Sequence, residues 1–198
     1  MKQTNEYRKE TVTIDIGRAN LFGVLILIPI AVMYGLPYYW KWNNSLSIEV
    51  VRIFISNLTP KAIAGGTAIF LFVSVLGFIV HELIHGVTWA RYTKKGFKSI
   101  QFGMVWEVFT PYCYCNEPIL KKHYIIGAIM PAIILGFIPA IISIMFGNIL
   151  LLLLGILFTT IACGDFLVIY KLRKKDMDSL VQDHPSELGF YVYRKMKS

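Results

Sequence analysis

The most informative residues of the chain form a short motif, His81-Glu82-Leu83-Ile84-His85. On a helix, residues four positions apart lie on one face with Cβ atoms about 5 to 6 Å apart, so His81 and His85 can bind one metal ion. Glu82 lies beside that face, where its carboxylate can take a proton from a metal-bound water. The spacing therefore predicts a zinc site with His81 and His85 as ligands and Glu82 as the catalytic base.

Asp165 is the predicted third ligand, because catalytic zinc usually has three protein ligands and one position for water. Glu82 and Asp165 are the only acidic residues of the sequence within an apolar run long enough to cross a bilayer. A charge at the centre of such a helix costs about 2.5 to 3.5 kcal/mol, so it normally has a partner. His85 and Asp165 each lie six residues before a basic residue, Arg91 and Lys171. That spacing corresponds to about 9 Å of helix and places the two residues at one depth.

The composition excludes a soluble or disordered protein. The 198 residues are 56% hydrophobic and 16% charged, with a mean hydropathy of +0.57, which is typical of a polytopic membrane protein. Crossing a hydrocarbon core of about 30 Å takes about 20 residues. We therefore predict one membrane-embedded domain, residues 1–198, of the all-α class, with four transmembrane helices and a small β-sheet or hairpin on the cytoplasmic side. The predicted spans lie near residues 21–40, 62–90, 124–146 and 149–170.

The distribution of Lys and Arg predicts the orientation, because these residues favour cytoplasmic loops. They concentrate in the N-terminal tail, the loop after the second span and the C-terminal tail, whereas the opposite side has Lys41, Arg52 and Lys61. We expect both termini in the cytoplasm and the plasma membrane as the location. The net charge of +8 is then a topology signal. Since it is spread over three juxtamembrane segments without a recognisable binding fold, we expect no nucleic-acid partner.

Three segments predict strands outside the spans. Residues 11–16 alternate between apolar and polar side chains, and we place the partner of this strand in the loop after the second span. Residues 99–106 and 109–115 are rich in β-branched and aromatic side chains and predict a hairpin. Residues 189–193 predict a further strand. Together these segments indicate a small sheet at the cytoplasmic membrane surface.

Other residues near the predicted site have two interpretations each. Cys113 and Cys115 are either a metal-binding pair or two residues of a strand that face the same way. His123 and His184 are either further metal ligands or histidines near the cytoplasmic surface without a role at the metal, and the second interpretation is favoured because neither shares a helix or a depth with the motif. Pro131 either kinks the third span beside the metal, where it would admit water or substrate, or is an ordinary membrane proline.

The chain resembles the site-2 protease group of intramembrane zinc peptidases, and more closely a family of small membrane proteins described as "putative zincin peptidase". The resemblance covers most of the length. Its carriers are the segments 81–86, 110–118, the helix around Pro131, Gly164-Asp165 and the tail 183–191.

This resemblance implies that His81, His85 and Asp165 bind Zn²⁺ and that Glu82 is the catalytic acid and base. One departure concerns the aspartate, because site-2 proteases typically have a glycine directly after it, whereas Phe166 follows Asp165 here.

The predicted function is that of an intramembrane zinc metallopeptidase, which hydrolyses peptide bonds of membrane or membrane-proximal substrates. Its expected partners are the lipid bilayer and a membrane-protein or peptide substrate. A helical substrate must unwind, and an edge of the hairpin within residues 102–115 could hold the unwound segment as an added strand. Two alternatives are a metal-binding membrane regulator without catalysis and a metal-ion transporter that uses the same three ligands in transit.

Overall fold

The computed structural model describes residues 7–43, 55–105, 110–185 and 188–196. Helices make up most of this part of the chain, and two small antiparallel sheets lie beside them. The main helices are α1 (Ile16–Trp42), α2 (Pro60–Ala90), α3 (Lys121–Phe146), α4 (Ile149–Ile161) and α5 (Cys163–Leu172). The mostly helical, apolar character of the prediction is confirmed.

Helices α1, α2 and α3 are each long and apolar enough to cross a membrane, and they contain the predicted spans 21–40, 62–90 and 124–146. The fourth predicted span, 149–170, is not one straight helix. Helices α4 and α5 meet at a break at Ala162 and are bent by 43° relative to each other. The Thr160 hydroxyl donates to the Ile156 carbonyl at 2.8 Å, a back-bond that often bends helices, and Gly164 beyond the break weakens helix continuity.

Local sequence signals explain where the helices begin and end. Asp15, Thr59 and Asn148 each precede a helix, and each side chain accepts a hydrogen bond from the backbone N–H three residues later, at 2.8, 3.2 and 3.1 Å. Pro60 follows Thr59 in the first turn, where its missing N–H costs nothing. Gly147 ends α3 with a φ of 77°, which allows the tight turn into α4.

The strands form a four-stranded sheet and a separate hairpin. The strands are β1 (Tyr7–Thr13), β2 (Ile100–Val105), β3 (Thr110–Cys115), β4 (Ile119–Leu120), β5 (Leu180–Asp183) and β6 (Gly189–Lys195). The sheet has the order β1-β6-β5-β4, and the hairpin pairs β2 with β3. The predicted hairpin and the predicted strand from Gly189 are confirmed, while residues 106–109 lie outside the described part.

The prediction for the first strand was wrong in its bounds and in its partner. The strand ends at Thr13, and Ile16 already begins α1. It pairs with β6 in the C-terminal tail, with Thr11 opposite Tyr191, and not with the loop after α2. Alternation of apolar and polar residues reports which face of a strand is buried, but it carries no information about the neighbouring strand.

A buried cluster joins the sheets to the ends of three helices. It fixes the end of α2, the beginning of α3 and the end of α5 against both sheets. Its members are Trp89, Ala90, Ile100, Cys115, Ile119, Tyr124, Ala128, Leu172, Val181, Phe190 and Val192. By contrast, only 6% of the most apolar window of α2 is buried within the protein, so most of that helix presents apolar side chains outward, as a membrane helix does.

The backbones of helices α3 and α4 are in direct contact at Gly155. A Cβ atom on Gly155 would lie 2.8 Å from the Ala140 Cβ and 2.9 Å from the Ala140 nitrogen and the Gly136 carbonyl oxygen. Backbone atoms cannot make room for a side chain unless the whole helix moves. The glycine is therefore required for the observed distance between the two helices.

We expect Gly155→Ala to lower the melting temperature of the detergent-solubilised protein, because the added methyl group overpacks this contact by about 1 to 3 kcal/mol. Gly65→Ala is the matched control, since a Cβ at Gly65 meets nothing within 4 Å. Equal melting temperatures for the two variants would contradict the described packing of α3 on α4.

Candidate metal centre

One stripe of helix α2 carries both motif histidines. The buried residues Ser74, His81, His85 and Trp89 follow the helical spacing along one face, whereas Leu83 on the opposite face is 44% exposed. The histidine side chains are only 6% and 4% exposed. Helix α2 therefore has its polar and aromatic residues on the inward stripe and aliphatic residues on the opposite face, which directs both imidazoles into the protein.

The break before helix α5 places Asp165 opposite these imidazoles. Asp165 lies in the first turn of α5, where the positive end of the helix dipole stabilises a carboxylate. Its side chain is 22% exposed, so the site keeps an opening on the aspartate side. A straight fourth helix would not present a helix N-terminus at this position.

Two imidazole nitrogens and the two carboxylate oxygens of Asp165 converge at nearly equal distances. The Nε2 atom of His81 lies 3.2 Å from Oδ2 of Asp165, and the Nε2 atom of His85 lies 3.3 Å from Oδ1 of the same carboxylate. The two Nε2 atoms are 3.2 Å apart. Zinc binds nitrogen and oxygen at about 2.0 to 2.2 Å in tetrahedral geometry, which puts neighbouring ligand atoms about 3.3 Å apart. Each of these three pairs of atoms thus has the separation of two neighbouring corners of a zinc tetrahedron, with a different oxygen of Asp165 facing each histidine.

The hydrogen bond on the far side of His85 determines which ring nitrogen is free. Nδ1 of His85 lies 2.9 Å from the Gly127 carbonyl oxygen, which can only accept, so Nδ1 carries the hydrogen and donates. Nε2 is then the ring nitrogen that faces Asp165 and can bind a metal ion. Imidazole nitrogens and a carboxylate are ligands that zinc prefers in proteins, so the donor set fits a divalent metal ion.

The ring of His81 is oriented from one side only. Its Nδ1 atom is buried and has no hydrogen-bond partner among the residues that the structure describes. Nε2, by contrast, faces both Asp165 and His85. The contacts of Nε2 at the cluster therefore fix this imidazole.

Glu82 lies beside the cluster and against the hairpin. It is partly buried, and its carboxylate interacts with the backbone N–H of Cys113 in β3. The Asn116 N–H donates to the Ser99 carbonyl at 2.8 Å, so the even-numbered residues of this segment pair toward β2. The N–H groups of Cys113 and Cys115 consequently face away from β2, toward the site.

The N–H of Cys115 donates to Oδ2 of Asp183 at 2.7 Å, and the Tyr124 hydroxyl donates to Oδ1 of the same carboxylate. The Tyr124 ring stacks on Trp89 with centroids 5.1 Å apart, and Trp89 stacks on His85 at 5.0 Å. Asp183 therefore links the edge of the hairpin to the aromatic stack that supports a motif histidine. No role for Asp183 or Tyr124 was predicted from the sequence, although Asp183 begins the tail segment that carries the family resemblance, because neither residue has a spacing that points to the motif.

The other two histidines of the sequence lie outside the cluster of metal ligands. His123 stacks on Tyr92 with centroids 4.0 Å apart, and the His184 ring lies 4.7 Å from Tyr191. Among the described residues, the potential metal ligands that cluster are His81, His85 and Asp165, and the group includes neither of these two histidines.

The two cysteines of β3 are free thiols. Burial raises the pKa of the Cys115 thiol to about 11, and it also raises the pKa of the Cys113 thiol, so both are protonated at neutral pH. The interpretation of Cys113 and Cys115 as strand residues is the one that the fold favours.

Comparison with models of protein families assigns the chain to a family. A family model described as "putative zincin peptidase" matches residues 74–180, which is more than half of the 198 residues. The chain belongs to this family. The match contains the whole cluster and Glu82, and the zincin family supports a metallopeptidase with zinc as its metal. Comparison with curated proteins and with solved structures found no match. The resemblance to site-2 proteases and the roles of the individual site residues stay predictions for this zincin family member.

The environment of Asp183 predicts a pH dependence of stability. Burial raises the pKa of this carboxyl group from 3.8 to about 6, against the opposing effect of the hydrogen bonds from Tyr124 and Cys115. The folded protein therefore binds more protons than the unfolded chain between these pH values, and stability falls as the pH rises through them. Each pKa unit corresponds to about 1.4 kcal/mol, so the loss amounts to about 3 kcal/mol at most.

We expect Asp183→Asn to remove this part of the pH dependence, because an asparagine can accept from the Cys115 N–H and donate to the Tyr124 hydroxyl as the protonated acid does. The measurement is the melting temperature of both proteins in detergent with a metal chelator, from pH 4 to pH 7. Profiles that run parallel over this range would show that Asp183 does not titrate as described.

Proposed function

We propose that the protein is a zinc metallopeptidase that cleaves membrane or membrane-proximal proteins at the edge of the bilayer. The observation that carries the proposal is the convergence of His81, His85 and Asp165 at tetrahedral spacing next to a glutamate. Metal binding alone requires no carboxylate beside the ligands, whereas peptide hydrolysis requires a base there.

His81, His85 and Asp165 would hold the metal, and Glu82 would move the proton. Bound zinc supplies a positive charge that polarises the scissile carbonyl and makes water more acidic. The Glu82 carboxylate accepts a proton from the attacking water and returns it to the nitrogen of the leaving amine. The N–H of Cys113 orients that carboxylate from the hairpin.

The position of the cluster along α2 supports cleavage near one membrane surface. Helix α2 ends at Ala90, and His85 and His81 precede this end by about 8 and 14 Å at a rise of 1.5 Å per residue. The basic residues Arg91 and Lys94 follow directly, as expected for a cytoplasmic end. The cytoplasmic position of both termini and the plasma membrane stay predictions.

The hairpin edge beside Glu82 restricts how a substrate strand can bind. Pro111 has no N–H, and the N–H groups of Cys113 and Cys115 already bind Glu82 and Asp183. The edge therefore offers backbone carbonyl oxygens, and an unwound substrate segment would pair through its own N–H groups. Such pairing is independent of sequence and suits a substrate that is recognised by its position at the membrane.

The test compares Glu82→Gln with the wild-type protein in cells that express each at equal levels. Glutamine keeps the size of the side chain and an oxygen for the Cys113 N–H, but it cannot take a proton from water. We expect Glu82→Gln to bind zinc as the wild type does and to lose at least about 100-fold in cleavage, the lower range for general-base catalysis. Zinc content of the purified proteins and quantitative mass spectrometry of new N-termini among membrane proteins measure the two effects.

Asp178→Asn is the matched control, because it also replaces a carboxylate by an amide and its side chain is exposed. It should retain both zinc and cleavage. If Glu82→Gln leaves the fragment pattern unchanged, a metal-binding regulator without catalysis becomes the better account. If zinc crosses vesicle membranes with the wild type and not with His81→Ala, the transporter alternative gains support instead.

A further inference from the structure

Helix α3 contains a proline at the one position that frees the carbonyl group next to His85. Pro131 is fully buried in this helix. In an α-helix the N–H of each residue donates to the carbonyl four residues earlier, and proline has no N–H to donate. The carbonyl of Gly127, four residues before Pro131, therefore lacks its usual helical donor.

Neighbouring backbone groups do not replace the missing donor. The N–H of Ala132, the next residue, donates to the carbonyl of Ile129, and a π-helical segment begins there. An unpaired carbonyl in an apolar interior is costly, so Gly127 needs a donor from outside the helix. Nδ1 of His85 supplies it at 2.9 Å.

Helix α2 reaches this carbonyl because Gly127 has no side chain. A Cβ atom there would lie 2.0 Å from Nε1 of Trp89. The Trp89 indole occupies that space, donates through Nε1 to the Tyr124 carbonyl at 3.0 Å and stacks on the His85 ring. The imidazole is thus held on its face by Trp89 and at Nδ1 by Gly127.

We propose that Pro131 is a positioning residue for the metal site. By leaving the Gly127 carbonyl free, it fixes His85 with the hydrogen on Nδ1, so that Nε2 faces Asp165 and His81. The inference rests on the proposed zinc site, and it adds a residue that touches neither metal nor substrate. Loss of such an outer hydrogen bond typically weakens metal binding by about 10- to 100-fold.

The experiment restores the missing donor. In Pro131→Ala the residue regains an N–H, which binds Gly127 within the helix and competes with His85. We expect zinc affinity, measured by competition with a fluorescent chelator, to fall by about 10-fold or more. In the metal-free protein at a pH high enough for the imidazole to be neutral, ¹⁵N spectra of labelled histidine should show His85 of the variant as a mixture of tautomers, whereas the wild type has the hydrogen on Nδ1.

A second variant separates this effect from the loss of packing. Pro131→Val restores the same N–H but leaves no cavity, so it should show the same change in tautomer and affinity. Pro29→Ala is the control, because Pro29 also lies inside a helix, α1, but is exposed. It should behave as the wild type does in both measurements.

Two results would overturn the inference, and they differ in what they say about function. If both Pro131 variants keep the wild-type tautomer and zinc affinity, Pro131 has no positioning role, while the peptidase proposal stands. If the wild type itself binds no zinc, the positioning role and the peptidase proposal both fail.

Discussion

The packing of two imidazole nitrogens against one carboxylate, with nitrogen–nitrogen and nitrogen–oxygen distances of 3.2 to 3.3 Å, is the constraint on which the rest of this structure depends. A carboxylate and two imidazole nitrogens in a largely buried place repel one another unless a positive charge lies among them. The surrounding fold keeps them there. Trp89 and the Gly127 carbonyl hold His85, the bend at Ala162 brings the N-terminus of α5 and Asp165 to the site, and the sheets close it from one end.

The arrangement of the hairpin follows from the same constraint. Gly86 allows the hairpin to lie directly against α2, since a Cβ there would lie 2.4 Å from the Phe102 ring. The outer N–H groups of β3 then face Glu82 and Asp183. One strand edge thereby orients the proposed catalytic carboxylate and joins the terminal sheet to the helices. This explains why residues from the C-terminal tail contribute to a site whose ligands lie within helices.

The elements that the sequence predicts well are those set by helix geometry alone. The spacing of four between His81 and His85 determines a shared face, and the fixed rise per residue allows His85 and Asp165 to be matched in depth. The long apolar runs likewise predict α1, α2 and α3 closely. These inferences need no knowledge of which elements are neighbours.

The parts that were missed depend on tertiary contacts. The partner of β1 could not be predicted, because strand alternation defines a face and not a neighbour. The bend at Ala162 arises from weak local effects that do not stand out within an apolar run. Asp183 acquires its role only when the tail folds back beside Tyr124. The relation between Gly127 and Pro131 was accessible in principle, since a proline always frees the carbonyl four residues before it, but the donor that uses this carbonyl was not.

The most direct test of the central claim is X-ray absorption spectroscopy at the zinc edge on the purified protein loaded with one equivalent of zinc. We expect four nitrogen or oxygen neighbours at about 2.0 to 2.2 Å, with multiple scattering from two imidazole rings. A sulfur neighbour at about 2.3 Å, or a number of imidazoles other than two, would contradict a site built from His81, His85 and Asp165.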